Sequence, residues 1–591
     1  RLVRAYPELA DGRFLVIADF EEPKHLELVR LIGVSDHARR FFDPRRGRPE
    51  TGTGCLIFTS GSPRDAVVFS NESATQWYMK QDWRAYDLFM LSVHVPEEGL
   101  ALSLTFRGGP AAEPLRTETT VPLRAGWTVV RLDLADIGEQ IPLDDVRALR
   151  IALVGHDHPV EVRLDDLLLT SFRRTLLGDP EHRDKGLYVQ RVGRRWRIGA
   201  KNDRTDFELT FARGQIIAWY DMHDDPYRLR NLVRGTSLGP TPVILEEGRI
   251  QPRGFAPLGE AVHSAIRILE MNPTRVVVAC EWRFVRDAIR AGEPSDAAPV
   301  HRWVYTIYPS GQVYAAGEVT VAHGGWRAGK LGLAVGAWAP PNDPPSADVF
   351  GPESGGGASP DDVPPHAVLR YGAEGAALLF VPRNAERLRV VREGNALSAN
   401  PITEAASAGP GGKPEAESDK GLSSETLTLL AEGIGRPVGD GRVRWRAHLV
   451  LTRGRALAPE EAARRAREYR TPPMPRLEVG AFSTIRDDRG GEAQGFDPVG
   501  GCYVIQPDEG RIRLYLDPRT GPRYSPVLVI PNPQGRQAWV YVDNLIERNV
   551  SVTPRGELVF QLPGEIRRRT VVEALFRLPE QQVPSTLTPP P

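Results

Sequence analysis

The chain has 591 residues, of which 41% are hydrophobic and 26% charged, with a formal net charge of −1. That length exceeds what one hydrophobic core serves and predicts three or four domains of ~150 residues each. The near-zero charge gives no overall attraction to nucleic acid or to an anionic membrane surface, so partners have to be read from local sites.

Three cysteines, Cys55, Cys280 and Cys502, fall in what read as three different domains. That spacing argues against an intradomain disulfide framework and predicts small buried residues. No apolar run approaches the ~20 residues that span a bilayer. The opening Arg1-Leu2-Val3-Arg4-Ala5-Tyr6 lacks the apolar centre of a signal peptide. A start at Arg rather than Met reads as a processed product, compatible with an export signal already removed.

The first predicted domain is strand-rich. It opens at Asp19-Phe20-Glu21, continues through Trp83-Arg84-Ala85-Tyr86-Asp87 and Gly126-Trp127-Thr128-Val129-Val130, and closes at Leu164-Asp165-Asp166. Val160, Val162 and Leu164 alternate with Glu161 and Arg163, the pattern of a half-buried strand. After Phe172 the alternation lapses into a connector. This order of pieces resembles the galactose-binding-like jelly-roll modules of many secreted glycan-active proteins. The resemblance implies a glycan as partner and a structural calcium held by acids of the first and last strands, here Asp19, Glu21, Asp165 and Asp166. Calcium takes about six to eight oxygen ligands. The competing reading is four solvent-facing carboxylates at strand ends. Trp77 and Tyr78, with Trp83 and Tyr86, offer aromatic faces on which pyranose rings could stack; for Trp83 and Tyr86 a core role competes.

The middle region begins with strand patterns at Tyr188 to Arg197, Phe207 to Phe211 and Gly214 to Trp219. Val304 to Tyr308 turns at Pro309-Ser310-Gly311 into Val313-Tyr314, a hairpin pattern. Further on, Val443, Trp445, Ala447 and Leu449 alternate with Arg442, Arg444, Arg446 and His448, predicting a cationic strand face. Pro340 to Pro365 and Ala405 to Ser424 are poor in large apolar residues and read as long surface loops. Pro459 to Arg470 is the clearest helix, with proline in its first turn and Glu461 four residues before Arg465. Pro472, Pro473 and Pro475 stop it and read as a linker.

Taken together, Phe207 to Phe211, the Gly214-to-Trp219 strand with Tyr220-Asp221 after it, the hairpin at Gly311 and the strand before the Glu460 helix resemble the galactose mutarotase-like supersandwich. Mutarotases of that fold use a His acid and a Glu base, and no Glu here matches the base. Polysaccharide lyases with that fold add a helical toroid, for which this chain has no run of helices. The candidate cleft takes His223, Arg228 and His323 as catalytic groups and Trp219, Tyr220, Tyr227, Arg230 and Trp326 as sugar contacts, with Asn231 and His301 nearby. Arginine binds a carboxylate or sulfate with two parallel bonds, and histidine transfers protons near neutral pH. The competing reading is a polar loop after a strand.

The last region shows short strands at Cys502 to Ile505, Arg511 to Leu516, Val527 to Ile530, Ala538 to Val542 and Glu557 to Leu562, which suggest a small sandwich. Phosphate-loop, nucleophile-elbow and zinc-spacing motifs are absent from the sequence. His156-Asp157-His158 reads as a solvated turn.

The expectation is an all-β chain: a jelly-roll sandwich over 1–175, a large supersandwich over 176–475 and a small C-terminal β-sandwich over 476–591. Its leading function is an exported, non-catalytic carbohydrate-binding or cell-surface protein that meets a polysaccharide or cell-surface glycan, with structural calcium as the one cofactor. No nucleic acid partner and no transmembrane segment are expected. The alternatives are a polysaccharide lyase or glycoside hydrolase, and a self-assembling subunit of an extracellular filament, sheath or surface layer.

Overall fold

A computed structural model describes residues 1–10, 13–70, 81–110, 114–138, 140–180, 186–201, 206–212, 214–228, 231–233, 241–246, 249–250, 263–283, 300–320, 330–338, 346–350, 366–371, 376–382, 387–393, 426–432, 436–438, 442–453, 457–486, 492–531, 537–562 and 564–577. The protein is all-β, built almost entirely from antiparallel strands. It divides into two compact units, one of Arg1–Arg174 with Gln190–Trp196, the other of Thr175–Val189 with Arg197–Pro591.

The first unit is a jelly-roll sandwich. Its strands are β1 (Phe14–Ala18), β2 (Val29–Ile32), β3 (Arg39–Asp43), β4 (Cys55–Ser60), β5 (Ala66–Ser70), β6 (Leu88–Val95), β7 (Ala101–Gly108), β8 (Leu115–Pro122), β9 (Gly126–Asp133), β10 (Val146–Val154) and β11 (Val160–Thr170). One sheet runs β3-β4-β11-β6-β9, with β1 also on β11; the other runs β2-β5-β10-β7-β8. Alternation decides what each strand buries. Phe89, Leu91, Val93 and Val95 of β6 meet Leu102, Leu104 and Phe106 of β7 in one core. Trp83 lies fully inside that core, stacked at 6.1 Å on Phe89, and Tyr86 packs against it from the edge. Trp83 is therefore a core aromatic, whereas Tyr86 is half-buried at the rim of that core.

In β11, Val162 and Leu164 face the core before Asp165, and Leu167 and Leu169 face it after Asp166. A bulge re-phases the strand there, with the register on β6 slipping between Asp165 and Leu168 and Asp166 at φ 50°. The outer face of the same sheet is partly capped by the N-terminal segment, whose Tyr6 and Leu9 cover Leu88, Met90 and Leu168.

In the second unit, Phe207–Ala212 and Gln215–Asp221 form a hairpin. The largest sheet holds, in order, His263–Met271, Val276–Arg283, Val300–Ile307, Gln312–Thr320, Arg442–Arg453, Ala376–Pro382, His366–Arg370 and Ser346–Phe350. The turn expected at Gly311 is present, with Gly311 at φ 78° and its N–H on Tyr308 O at 3.0 Å. Arg442–Arg453 is a central strand of this sheet; side chains of its cationic face lie outside the described residues. Ser346–Phe350 pairs with His366–Arg370. The stretch 340–365 is therefore not all loop, because Ala347, Val349 and Phe350 supply a short strand. The second expected loop, 405–424, lies outside the described residues.

The helix spans Pro459–Arg470 and buries Ala462, Ala466 and Tyr469, while Glu461 accepts from Arg465 at 3.0 Å. Beyond it the last sandwich pairs a sheet through Arg511–Leu516 and Thr570–Arg577 with another through Val527–Ile530 and Leu558–Gln561 around Ile505, Leu514, Leu528 and Phe560. Pro472 to Pro475 do not leave that sandwich hanging on a free linker. Tyr308 donates to Gly500 O at 2.6 Å, and Tyr314 packs on Gly501, where a Cβ would overlap its ring.

Candidate functional site

The bulge in β11 builds a buried polar site in the jelly-roll unit. Asp165 and Asp166 are 1% and 2% exposed. Asp165 accepts the backbone N–H of Arg48 at 3.0 Å through one oxygen and that of Asp166 at 2.8 Å through the other. Asp166 accepts from the Tyr6 hydroxyl and from Thr51 Oγ1 at 2.7 Å. Arg48 closes the network, donating to Tyr6 Oη at 2.8 Å and to Ser92 Oγ at 3.2 Å, with its guanidinium 5.0 Å from the Tyr6 ring centre. Burial, then the neighbouring Asp166 carboxylate, and more weakly Glu21, push Asp165 up to about 8. Burial also raises Asp166, against hydrogen bonds from Tyr6 and Thr51 that lower it.

Glu21 reaches the same 46–54 loop. Its Oε1 accepts Thr53 N–H at 2.8 Å and Gly54 N–H at 3.1 Å. A Cβ at Gly52 would overlap that carboxylate, so glycine is what lets it dock. Asp19 belongs to a different arrangement: it accepts Glu21 N–H at 3.3 Å and stands 3.3 Å from His25 Nδ1. Of the four acids expected to share a cation, Asp165 and Glu21 converge on the loop, Asp166 is engaged by Tyr6 and Thr51, and Asp19 faces His25. Among the described residues no three His, Cys, Asp or Glu side chains form a group able to hold a metal ion. Any cation at Asp165 and Glu21 would thus need backbone or water oxygens as its remaining ligands.

The residues chosen for a cleft in the second unit have separate settings. Arg228 grips Glu208 with two hydrogen bonds, 2.6 and 2.7 Å, and Tyr188 donates to the same carboxylate at 2.7 Å. Glu208 is fully buried and Arg197 stands 3.7 Å away. Arg228 has φ 59°, a left-handed backbone that turns its side chain back onto the hairpin. His223 is 51% exposed, with its Nε2 3.9 Å from Asp224 Oδ1 and its backbone N–H donated to Asp221 Oδ1 at 3.1 Å. Trp219 is core, with Tyr220 half-buried beside it, whereas Tyr227 is 82% exposed at the turn. Asn231 stitches the loop to the strand, accepting Trp219 N–H at 2.9 Å and donating to Ile217 O at 3.1 Å. Trp77, Tyr78, Arg230, His323 and Trp326 lie outside the described residues, as does the side chain of His301.

Sequence reading missed Tyr6, Arg48, Thr51, Ser92 and Glu208. Tyr6 and Thr51 reach Asp166 across 160 and 115 residues of chain, and Arg48 and Ser92 join through Tyr6, which no local pattern signals. Glu208 did carry a signal: a charged residue in the otherwise apolar strand Phe207–Ala212 requires a buried partner. The three cysteines are free and buried as expected, Cys55 being pushed up to about 12 by burial and then by Asp165. His158 sits in its turn between Asp157 and Glu97.

No family model matches the chain, and no curated protein matches it. Among solved structures it is similar to the family 11 carbohydrate-binding module of a cellulosomal cellulase of Clostridium thermocellum, at 9% identity over 27% of this chain and 94% of that one, TM-score 0.21. The family 30 module of another cellulosomal cellulase of Clostridium thermocellum matches at 15% identity over 24% and 85%, TM-score 0.19. An exo-β-agarase matches at 9% identity over 26% of this chain and only 24% of the agarase, TM-score 0.21. Likenesses at these identities and scores assign no ligand and no reaction to this chain.

Proposed function

We propose that the protein is an exported, non-catalytic carbohydrate-binding protein that meets a polysaccharide or cell-surface glycan through its jelly-roll unit. The observation that carries this reading is the outer face of the β3-β4-β11-β6-β9 sheet. There Trp127 and His94 form an edge-to-face pair at 5.4 Å, and Phe41 is exposed two strands beyond β11. Aromatic rings on an outer sheet face, flanked by fork-shaped arginine donors, suit sugar rings that present a C–H face and a rim of hydroxyls. The second unit supports the non-catalytic part of the reading: its His223 faces solvent, while Arg228 is committed to Glu208.

In this proposal the jelly roll covers 1–175, a mutarotase-like supersandwich 176–475 and a small sandwich 476–591. Structural calcium belongs at Asp165 and Glu21, where it would offset the mutual repulsion of buried carboxylates. The test is a glycan array probed with calcium-loaded protein. Retention of defined oligosaccharides, lost on unfolding the jelly-roll unit, is the expected result; no hit above background across neutral and acidic glycans overturns the reading.

A further inference from the structure

The outer sheet face is not electrically neutral in the way the whole chain is. Cross-strand register sets Arg163 of β11 directly opposite His94 of β6, and His94 opposite Trp127 of β9. Glu161 lies two residues from Arg163, hence on the same face. Arg46 takes both oxygens of Glu161, the Nη1–Oε2 contact being 3.1 Å. Arg163 is left with one long bond, Nε to Oε1 at 3.4 Å. Its two terminal amino groups make no hydrogen bond among the described residues, although the side chain is 22% exposed. One carboxylate thus serves two guanidiniums. One row away Asp43 faces Cys55, and one row the other way Arg39 faces Thr59, so these two outer charges offset each other. Arg163 and Arg46 together exceed Glu161 by one positive charge, in the same cross-strand row as Trp127 with His94 between.

We infer that this patch binds an acidic oligosaccharide, with a uronate carboxylate or sulfate taken by the unused donors of Arg163 and the adjoining sugar ring lying on Trp127. The inference rests on the carbohydrate reading above and adds the charge class and the site. Arg163 presents planar paired donors of the kind that match carboxylate and sulfate geometry. A neutral glycan can accept from those donors through its hydroxyls but leaves the surplus charge unbalanced, and a charge-assisted pair is the stronger one. The imidazole of His94 reports on the same field: burial first, then Arg163 and Arg46, hold it below its usual range. An anion seated at Arg163 cancels part of that field and moves the imidazole back up.

The experiment titrates the full chain with uronate and sulfated trisaccharides and with their methyl-esterified and desulfated counterparts, by calorimetry at low salt. His94 is followed by NMR with and without ligand. Expected are binding of at least one acidic trisaccharide about tenfold or more tighter than its neutral counterpart, and a loss of about tenfold or more on Arg163→Gln. An upward shift of the His94 titration on binding is also expected. Trp127→Ala should weaken the same ligand, and an unchanged melting temperature in either variant separates lost contact from lost fold. Equal affinity for acidic and neutral forms, or full affinity in both variants, overturns this site while leaving carbohydrate binding standing. No binding of any saccharide overturns both.

Discussion

Gln561 Nε2 lies 3.0 Å from Gln312 Oε1, across 249 residues of chain, and both side chains are almost wholly buried. The same amide is within reach of Ser310 Oγ at 2.8 Å and Ser525 O at 3.1 Å. Gln312 in turn donates towards Tyr469 Oη at 3.1 Å and Tyr524 O at 3.2 Å. The pair therefore ties the hairpin of the largest sheet to the helix Pro459–Arg470 and to the last sandwich. A buried polar network of this kind stabilises only while every member is satisfied.

Gln561→Ala removes the shared amide and leaves Gln312, Ser310 and Ser525 each short of a partner. The expected cost is about 1–3 kcal/mol. Calorimetry should show the largest sheet and the last sandwich melting in one transition in the wild type, at a lower temperature in the variant. Two separate transitions in the wild type would show that the network does not couple them.

Asp166 and Tyr6 offer a second stability test. Tyr6→Phe keeps the ring against Leu88 and Met90 but removes the hydroxyl shared by Asp166, Ser92 and Arg48. A loss of about 1–3 kcal/mol is expected for the jelly-roll unit in urea titrations followed by tryptophan fluorescence, since Trp83 lies in its core. An unchanged midpoint would mean that water replaces the hydroxyl without cost.

What the sequence disclosed and what it hid follow one rule, the range of the interaction. Alternation in Val160 to Leu164, the glycine turn at Gly311 and the proline-started helix at Pro459 are local, and each was readable. The Asp165-Asp166 pair was visible as residues but not as a bulge, because the slip depends on β6 and on a loop more than 100 residues earlier. The settings of the described cleft residues were hidden for a related reason. His223 and Arg228 are close in sequence, yet the positive φ of Arg228 directs it to Glu208, and a backbone torsion leaves no mark in composition.

The raised Asp165 sets a pH dependence whose sign is definite. Its folded value of about 8 exceeds the ordinary carboxylate value, so the folded unit prefers the protonated form. Stability is greatest below the unfolded value near 4 and is lost as pH rises through the folded one. The melting temperature of the jelly-roll unit should fall between about pH 4 and pH 8 in calcium-free buffer. Asp165→Asn should flatten that slope, at the cost of one of the two backbone hydrogen bonds. Calcium at Asp165 and Glu21 would favour the ionised form, so its stabilising effect should be larger at pH 8 than at pH 5. Differential scanning fluorimetry with calcium and with EDTA measures both slopes; superimposable curves would remove the calcium proposal and leave the proton linkage intact.

Arg228 and His223 separate a structural role from a catalytic one. Arg228→Ala leaves the buried Glu208 with the Tyr188 hydroxyl and with Arg197 at 3.7 Å. Breaking a buried pair from one side costs about 3–5 kcal/mol, moderated here by Arg197. Arg228→Lys should restore little, because one ammonium does not reproduce the two parallel bonds to Glu208. His223→Ala touches only a solvent-facing ring and should change stability by about 0.5 kcal/mol or less. Chemical denaturation of the three variants checks these values. A stable His223→Ala protein that retains glycan binding fits the non-catalytic reading, whereas release of unsaturated or reducing ends by the wild type, abolished in that variant, would restore an enzyme centred on the same turn.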